Sequence, residues 1–253
     1  MAFDPLSVPV RFSRLKHMGR SPAHYRYAIE HGSPDSPAMR GGRIVHALLL
    51  GGIENLIVWD GSRRGKAWET FELEHEGEDI ITASELDAGH RIAAAVREHE
   101  EAMRLLDGQH EVEIEWTIAG RQARARLDVL AHDYVTELKV TGDGQPEHFQ
   151  RTALRLGYPA QLAWYMDGAT LATGRAMKRA YIVEVESKPP HVVTPLRLTE
   201  NAITYGLKTY RKWWEQLRVC EESGVFPGYL DGVGEFDVTP DVDLLIDGEE
   251  IAA

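Results

Sequence analysis

Three residues of this sequence, Asp128, Glu137 and Lys139, have types and a spacing that can do chemistry together. They lie in the run 123–141, where two apolar-alternating segments flank a polar turn at 131–133. Such alternation marks a β-hairpin. Strand side chains alternate with period two, so Arg124, Arg126 and Asp128 share one face of the first strand. Glu137 and Lys139 share a face of the second, while Leu138 and Val140 point the other way. Pairing the two strands can gather two carboxylates and an ammonium at one point. The carboxylates can hold a hard divalent cation through oxygen, leaving room for water. A water held there can become a nucleophile, and the cation can offset charge developing on a phosphate. The lysine can orient that water or stabilise a pentavalent phosphorus. The same alternation also suits a solvent-facing strand of mixed charge.

The rest of the chain must position this hairpin. With 253 residues of ordinary apolar content, the chain is long enough to bury a sizeable core. Residues 1–230 are expected to form one domain, with 231–253 as an acidic, partly disordered tail. The single cysteine, Cys220, rules out an intramolecular disulfide and a four-cysteine cluster built from this chain. This fits a reducing cytoplasm, which is the expected location. No apolar run approaches a membrane span, and residues 1–5 do not resemble a secretion signal. The net charge of −12 argues against a protein that coats nucleic acid over its whole surface. The segment from Arg11 to Arg43 is nonetheless basic and could track phosphates locally.

The expected elements follow in order. Residues 7–31 read as a broken helix, with Ser21 as cap and Pro22 at its first turn. Residues 38–52 form an apolar helix that carries His46. A histidine among Ile44, Val45, Leu48 and Leu49 suits a packed core residue as well as a ligand. Residues 57–59 read as a short strand and 60–66 as a basic loop, and 82–106 as one helix with a buried stripe. A strand at 111–118 turns at Gly120 into the strand of Asp128. Glu111, Glu113 and Glu115 share one face of it, available to pair across the sheet with Arg124 and Arg126. Helices are expected at 146–156 and 159–168, then strands at 179–186 and 191–198 and a long helix at 199–223. Gln161 and Tyr165 are four residues apart, so they stack on one helix face about 6 Å apart.

Several of these stretches together resemble the RecE-type (exonuclease VIII-like) exonucleases of the PD-(D/E)xK superfamily, within its RecB-like group. The resemblance opens with Ser21-Pro22-x-His24-Tyr25 and continues with Pro37-Ala38-Met39-Arg40-x-Gly42-x-x-x-His46-Ala47-Leu48. It goes on through Glu111-x-x-x-x-Trp116, Arg124-x-Arg126-Leu127-Asp128, Glu137-Leu138-Lys139 and Gly157-Tyr158-x-x-Gln161-x-x-x-Tyr165. It closes at Phe226-Pro227-Gly228-Tyr229, which departs from the family only in its first aromatic type. The resemblance covers roughly residues 7–230, with these motifs in order.

The resemblance implies an α/β restriction-endonuclease-like core, a mixed central sheet flanked by helices. It implies His46, Asp128, Glu137 and the backbone carbonyl of Leu138 as metal ligands, for Mg²⁺ with Mn²⁺ able to substitute. Lys139 would position the attacking water, Gln161 and Tyr165 would wall the site, and Glu111 would be an accessory acid. Arg124 and Arg126 are candidates for contact with DNA phosphates. The implied activity is 5′-to-3′ degradation of one strand from a double-stranded DNA end. The 3′ tail would pass to a RecT-like single-strand annealing recombinase, and the enzyme would form a homo-oligomeric ring. A structure-specific or CRISPR-associated RecB-like endonuclease, or an inactive DNA-binding copy of the fold, are the competing readings. The lone cysteine counts against an iron–sulfur version. The intact Asp128, Glu137 and Lys139 count against an inactive one.

Overall fold

The computed structural model describes residues 8–32, 36–235, 244–246 and 249–251. The chain begins with the short α1 (Phe12–Leu15) and a 3-10 turn, followed by α2 (Pro22–His31) and α3 (Pro37–Leu50). The Ser21 side chain accepts the His24 N–H and Ser36 that of Met39, each with proline in the first helical turn. Next come β1 (Leu56–Trp59), α4 (Lys66–Glu74) and β2 (Asp79–Thr82), then α5 (Ala83–Glu98) and α6 (Glu100–Leu105). The central strands are β3 (Gln109–Ile118), β4 (Arg121–Leu130) and β5 (Tyr134–Thr141). Two helices, α7 (Pro146–Leu156) and α8 (Tyr158–Thr173), lead to β6 (Arg179–Glu186), β7 (Val193–Arg197) and α9 (Glu200–Ser223). A small pair, β8 (Leu244–Ile246) and β9 (Glu249–Ile251), follows. The rest of the expected acidic tail lies largely outside the described residues.

The main sheet has the order β3-β4-β5-β6-β7. It is mixed: β5 and β6 run parallel, and the other neighbours are antiparallel. A parallel pair needs a crossover, which α7 and α8 supply. The alternation of β5 and β6 sends their side chains to two different cores. Val135, Ala180 and Ile182 pack with α8, α9 and the N-terminal helices. Leu138, Tyr181, Val183 and Val185 pack with α3, α5 and α6. The expected α/β core with helices on both faces is the one found.

Three local expectations differ from the fold. The helix over 82–106 breaks at His99, whose ring Nδ1 accepts the Ala102 N–H at 3.2 Å and starts α6 as a separate helix. A capping side chain there competes with helix continuation. The helix expected to stop at Gly168 runs on to Thr173. Gly168 is a contact residue: a Cβ there would sit 2.7 Å from the Trp116 ring. Over 53–80, where periodicity is weak, the strand expected at 57–59 is β1, and the residues after the 60–66 loop add α4 and a parallel partner strand, β2. An aromatic cluster of Trp59, Trp68 and Phe71 holds this arm together.

Candidate metal centre

The site forms where the β4–β5 hairpin comes apart. The two strands pair only at Val129–Thr136 and Leu130–Val135. The next pair in that register would set Asp128 opposite Glu137. Instead the Asp128 carboxylate enters the gap, and its Oδ2 accepts the Leu138 N–H at 2.8 Å. Asp128 thereby satisfies a donor that the opened ladder strands, as a buried N–H requires. On the other side of the same residue, the Leu138 carbonyl lies 3.0 Å from His46 Nε2. A carbonyl can only accept, so Nε2 carries the proton in that bond. The opposite ring nitrogen, Nδ1, then faces Asp128 Oδ1 at 3.5 Å and Glu111 Oε1 at 3.9 Å.

Glu111 reaches this point through an unusual backbone. The β3–β4 register places it across from Asp128, between the pairs His110–Val129 and Val112–Leu127. Its φ is +51°, in the left-handed region that residues other than glycine seldom adopt. Such conformations cost free energy and concentrate at functional sites. Glu113 and Glu115, on regular backbone, pair with Arg124 across the strands, while Glu111 turns to His46 and to Arg126 Nε at 2.8 Å.

The donors fit a divalent cation. Ligand atoms of His46, Glu111 and Asp128 lie within 4.8 Å of one another. All are nitrogen or carboxylate oxygen, the set that suits Mg²⁺, Mn²⁺ or a similar ion rather than a thiophilic one. The Leu138 carbonyl, expected as a ligand, here fixes the His46 ring, an arrangement that orients a ligating imidazole. Glu137 Oε2 is buried with no hydrogen-bond partner, an orphaned anionic atom that a cation would satisfy.

Glu137, Lys139, Gln161 and Tyr165 form the wall adjoining this cluster. Glu137 Oε1 accepts from Lys139 Nζ at 2.6 Å and from Gln161 Nε2 at 2.9 Å. The same Gln161 nitrogen donates to the Tyr165 hydroxyl oxygen at 2.9 Å. Lys139 Nζ also sits 4.8 Å from the Tyr158 ring centre, a cation–π contact. α9 sets this wall in place by close approach. A Cβ at Gly206 would lie 2.1 Å from the Pro159 carbonyl oxygen, at the start of the helix that carries Gln161.

Burial and charge set the protonation of these groups. Burial first, and then the Asp128 carboxylate, push Glu137 up to about 7. Burial alone would lower His46, but Asp128 and Glu111 outweigh it and raise it. Burial likewise opposes the Lys139 ammonium, and Glu137 and Asp128 more than restore it. Tyr165 is held well above the ordinary phenol range by burial and then by Glu137, so it remains a neutral hydrogen-bond partner. Protons on His46 and Glu137 thus compete with a cation. Cation affinity should therefore rise as pH climbs through about 7, the value to which Glu137 is pushed. Thermal melts of the protein with Mn²⁺ or Mg²⁺ at pH 6 and 8 would read this as a larger metal-induced gain at pH 8. An equal gain at both would show that neither group must deprotonate.

Gln161→Ala removes the donor that aligns Glu137 but no charge. Turnover should fall by about tenfold with little change in substrate affinity, as for loss of one aligning hydrogen bond. A wild-type rate would strip Gln161 of its positioning role.

Two clefts meet at this wall. The larger, about 890 Å³, is lined by the metal-centre residues, by the Gly42–Arg43 face of α3 and by Asn55, Leu56 and Asp79 of the arm. The smaller, about 320 Å³, lies beyond Arg126 and Tyr165 and reaches Lys139. Arg124 and Arg126 border the smaller cleft while paired with the β3 glutamates. Sequence reasoning placed Glu111 only as an accessory. The left-handed turn that brings it into the centre has no signature in a strand of alternating glutamates.

Residues 11–237 match the family model of a PDDEXK-like domain of unknown function (DUF3799). No curated protein matches the chain. Among solved structures, a candidate exonuclease from Eubacterium rectale superimposes with a TM-score of 0.63 at 14% identity, over 91% of each chain. A phage-related exonuclease from Haemophilus somnus 129PT gives a TM-score of 0.35 at 14% identity, over 84% of this chain and 96% of its own. An alkaline exonuclease from Laribacter hongkongensis gives 0.31 at 16% identity, over 72% and 89%. The first of these shares the fold.

Proposed function

The chain belongs to the PDDEXK-like family whose model spans residues 11–237, and on that premise we propose that it is a metal-dependent deoxyribonuclease acting on double-stranded DNA ends. The observation that carries this reading is the junction of the His46–Glu111–Asp128 cluster with the buried Glu137–Lys139 pair. An acidic centre beside a lysine is what phosphodiester hydrolysis asks of its catalyst: anionic ligands for a cation, and an ammonium at the water or the phosphate. A bound Mg²⁺ or Mn²⁺ would supply Lewis acidity toward the phosphate and favour deprotonation of a nearby water.

Each residue of the chain then has a task. His46, Glu111 and Asp128 hold the cation, and Glu137 adds its unpartnered Oε2. Lys139, anchored on Glu137, orients the attacking water. Gln161 fixes the Glu137 carboxylate, and Tyr165 backs Gln161. Arg126 borders both clefts and is the phosphate contact nearest the centre, with Arg124 beside it.

We infer further that cleavage runs 5′ to 3′ along one strand and leaves a 3′ tail for a RecT-like annealing recombinase. A homo-oligomeric ring would let an acidic exterior, at a net charge of −12, coexist with a basic channel. These finer points rest on the motif resemblance. No helix among the described residues is long and apolar enough to cross a membrane.

The test is digestion of linear and closed-circular duplex DNA, the linear one labelled at its 5′ ends, with Mg²⁺ and with chelator. Metal-dependent loss of the linear substrate alone, releasing the 5′ label early, is the expected result. Cutting of the circle would make the protein an endonuclease. Absence of cleavage by folded protein with Mg²⁺ or Mn²⁺ would make it an inactive copy of the fold.

A further inference from the structure

One buried carboxyl stands outside the hydrolytic wall. Glu184 of β6 pairs with Lys139 across the parallel β5–β6 register and shares a strand face with Ala180 and Ile182. Its side chain is wholly buried, and neither carboxyl oxygen has a hydrogen-bond partner among the described residues. Buried polar groups are nearly always paired, so an acid with both oxygens bare calls for a reason. The Lys139 ammonium is engaged by Glu137 at 2.6 Å.

Glu184 faces the junction between β5 and α7. A Cβ at Gly144 would lie 2.5 Å from its Oε1 and 2.9 Å from its Oε2, so the junction closes on this carboxyl through a glycine. The Gly144 N–H donates to Glu186 Oε1 at 2.8 Å and so satisfies a different carboxylate. The charges that act on Glu184 are those of Glu186 and Asp143, both negative, and the Thr194 side chain reaches it from β7. From α7, His148 lies 3.9 Å from Asp143. Burial pushes Glu184 up to about 7; Thr194 opposes this, and Glu186 and Asp143 add to it. A protonated carboxyl is neutral and can donate, beside carboxylates that only accept. An ionised one would be a buried charge with no counter-ion, which is costly.

We propose that Glu184 is a proton-held latch: with its proton it lets Gly144 seat against β6, and giving up that proton is coupled to opening of the β5–α7 junction. The direction follows from linkage. A carboxyl raised in the closed form stabilises it fully below the ordinary glutamate range, and this is lost as pH rises to the closed-form value. The opening need only be local, because Asp143 and His148 already lie at the surface. The latch sits behind the wall described above. Gln145 caps α7 by accepting the His148 N–H at 2.8 Å, and the buried Phe149 follows, its ring centre 6.2 Å from that of Tyr158. The Tyr158 ring in turn carries Lys139 Nζ. A proton on Glu184 is thereby coupled to the packing behind the lysine. The latch does not rest on the nuclease reading, since it needs no substrate.

The test is limited digestion of the full chain by a broad-specificity protease, in chelator, between about pH 5 and about pH 8. Cuts within 142–149 would be mapped by mass spectrometry. Their rate follows the population of the open junction. Parent and Glu184→Gln are compared at each pH, so that the protease's own pH dependence cancels in the ratio. Glutamine keeps the shape of the neutral acid and has no proton to lose. The ratio of parent to variant cutting should grow at least about tenfold from the lower pH to the higher. His148→Gln and Glu137→Gln should each keep the parent's dependence.

A ratio that stays constant, or a junction uncut at every pH, would overturn the latch. Loss of the dependence in His148→Gln or in Glu137→Gln would also overturn it, by assigning the proton elsewhere. Should Glu184→Gln not fold, infrared spectra of Glu137→Gln decide. A neutral-carboxyl band persisting at about pH 6, above the ordinary carboxyl range, supports the latch, and its absence there overturns it.

Discussion

Asp128→Asn should slow cleavage of linear duplex DNA by at least about a thousandfold and leave the protein folded. A thousandfold in rate corresponds to about 4 kcal/mol of lost transition-state stabilisation, within what charge stabilisation at a metal site supplies. The choice of asparagine follows from the geometry. Asp128 has two jobs: its charge belongs to the cation-binding cluster, and its Oδ2 accepts the buried Leu138 N–H at 2.8 Å. Asparagine keeps an acceptor for that N–H and discards the charge. Alanine discards both, and an unpaired buried N–H costs about 1–3 kcal/mol, so its inactivity would mix lost chemistry with a loosened hairpin. Single-turnover rates over a Mg²⁺ series, beside thermal melts, would separate the two. Undiminished cleavage by the asparagine variant would remove Asp128 from the metal centre.

The second large effect belongs to Lys139, whose removal should show in activity and in a pH-dependent loss of stability. Lys139→Met should cost about a hundredfold or more in rate, the range for loss of a positioned electrostatic stabiliser. The stability effect follows from the partner left behind. Glu137 is buried, and Lys139 supplies its counter-charge at 2.6 Å. Breaking a buried pair typically costs about 3–5 kcal/mol, but Glu137 has an escape by taking up a proton. Its folded-state pKa already lies at about 7, above the unfolded value, through burial and then Asp128. A carboxyl raised in this way favours the fold at low pH and penalises it once pH exceeds the folded value. Without Lys139 that penalty deepens. Lys139→Met should therefore melt close to the parent near pH 5.5 and well below it near pH 8.5, both in chelator. Adding Glu137→Gln should return stability at the higher pH without returning activity. A pH-independent deficit would mean that Lys139 acts through packing alone, by way of the Tyr158 ring.

Much of this site is legible in the chain because period-two alternation and helical spacing are local rules. They place Glu137 and Lys139 on one face and Gln161 and Tyr165 on one turn, and the structure joins all four by hydrogen bonds. The motif order gives the fold class, a mixed sheet with helices on both faces. The misplaced features depend on contacts distant in sequence. Gly168 reads as a stop until Trp116 is seen pressing on it. Hairpin logic predicts Asp128 beside Glu137 through strand pairing, yet the centre exists because that pairing fails after Val129. Glu111 looks like its neighbours Glu113 and Glu115, and only its positive φ sets it apart. In the arm over 56–82 the short strand at 57–59 is legible, but too little periodicity follows it to announce its parallel partner β2 or the helix between them, which an aromatic cluster holds.

Leu138 is clasped through both of its backbone polar groups, its N–H by one member of the cluster and its carbonyl by another. This makes two successive backbone amides, those of Leu138 and Lys139, built-in spectroscopic gauges of the centre. Electron density drawn from Asp128 toward a cation weakens its hold on the Leu138 N–H, while density drawn from His46 strengthens the Nε2–H bond to the Leu138 carbonyl, which belongs to the Lys139 amide. In a two-dimensional nitrogen–proton spectrum the Leu138 cross-peak should move on adding a divalent ion, further than those of Val129 or Val183 in the same core. Buried and held by the Asp128 carboxylate, the Leu138 amide should rank among the slowest in the molecule to exchange with deuterium. Occupancy of the centre could then be followed with no nucleic acid in the tube.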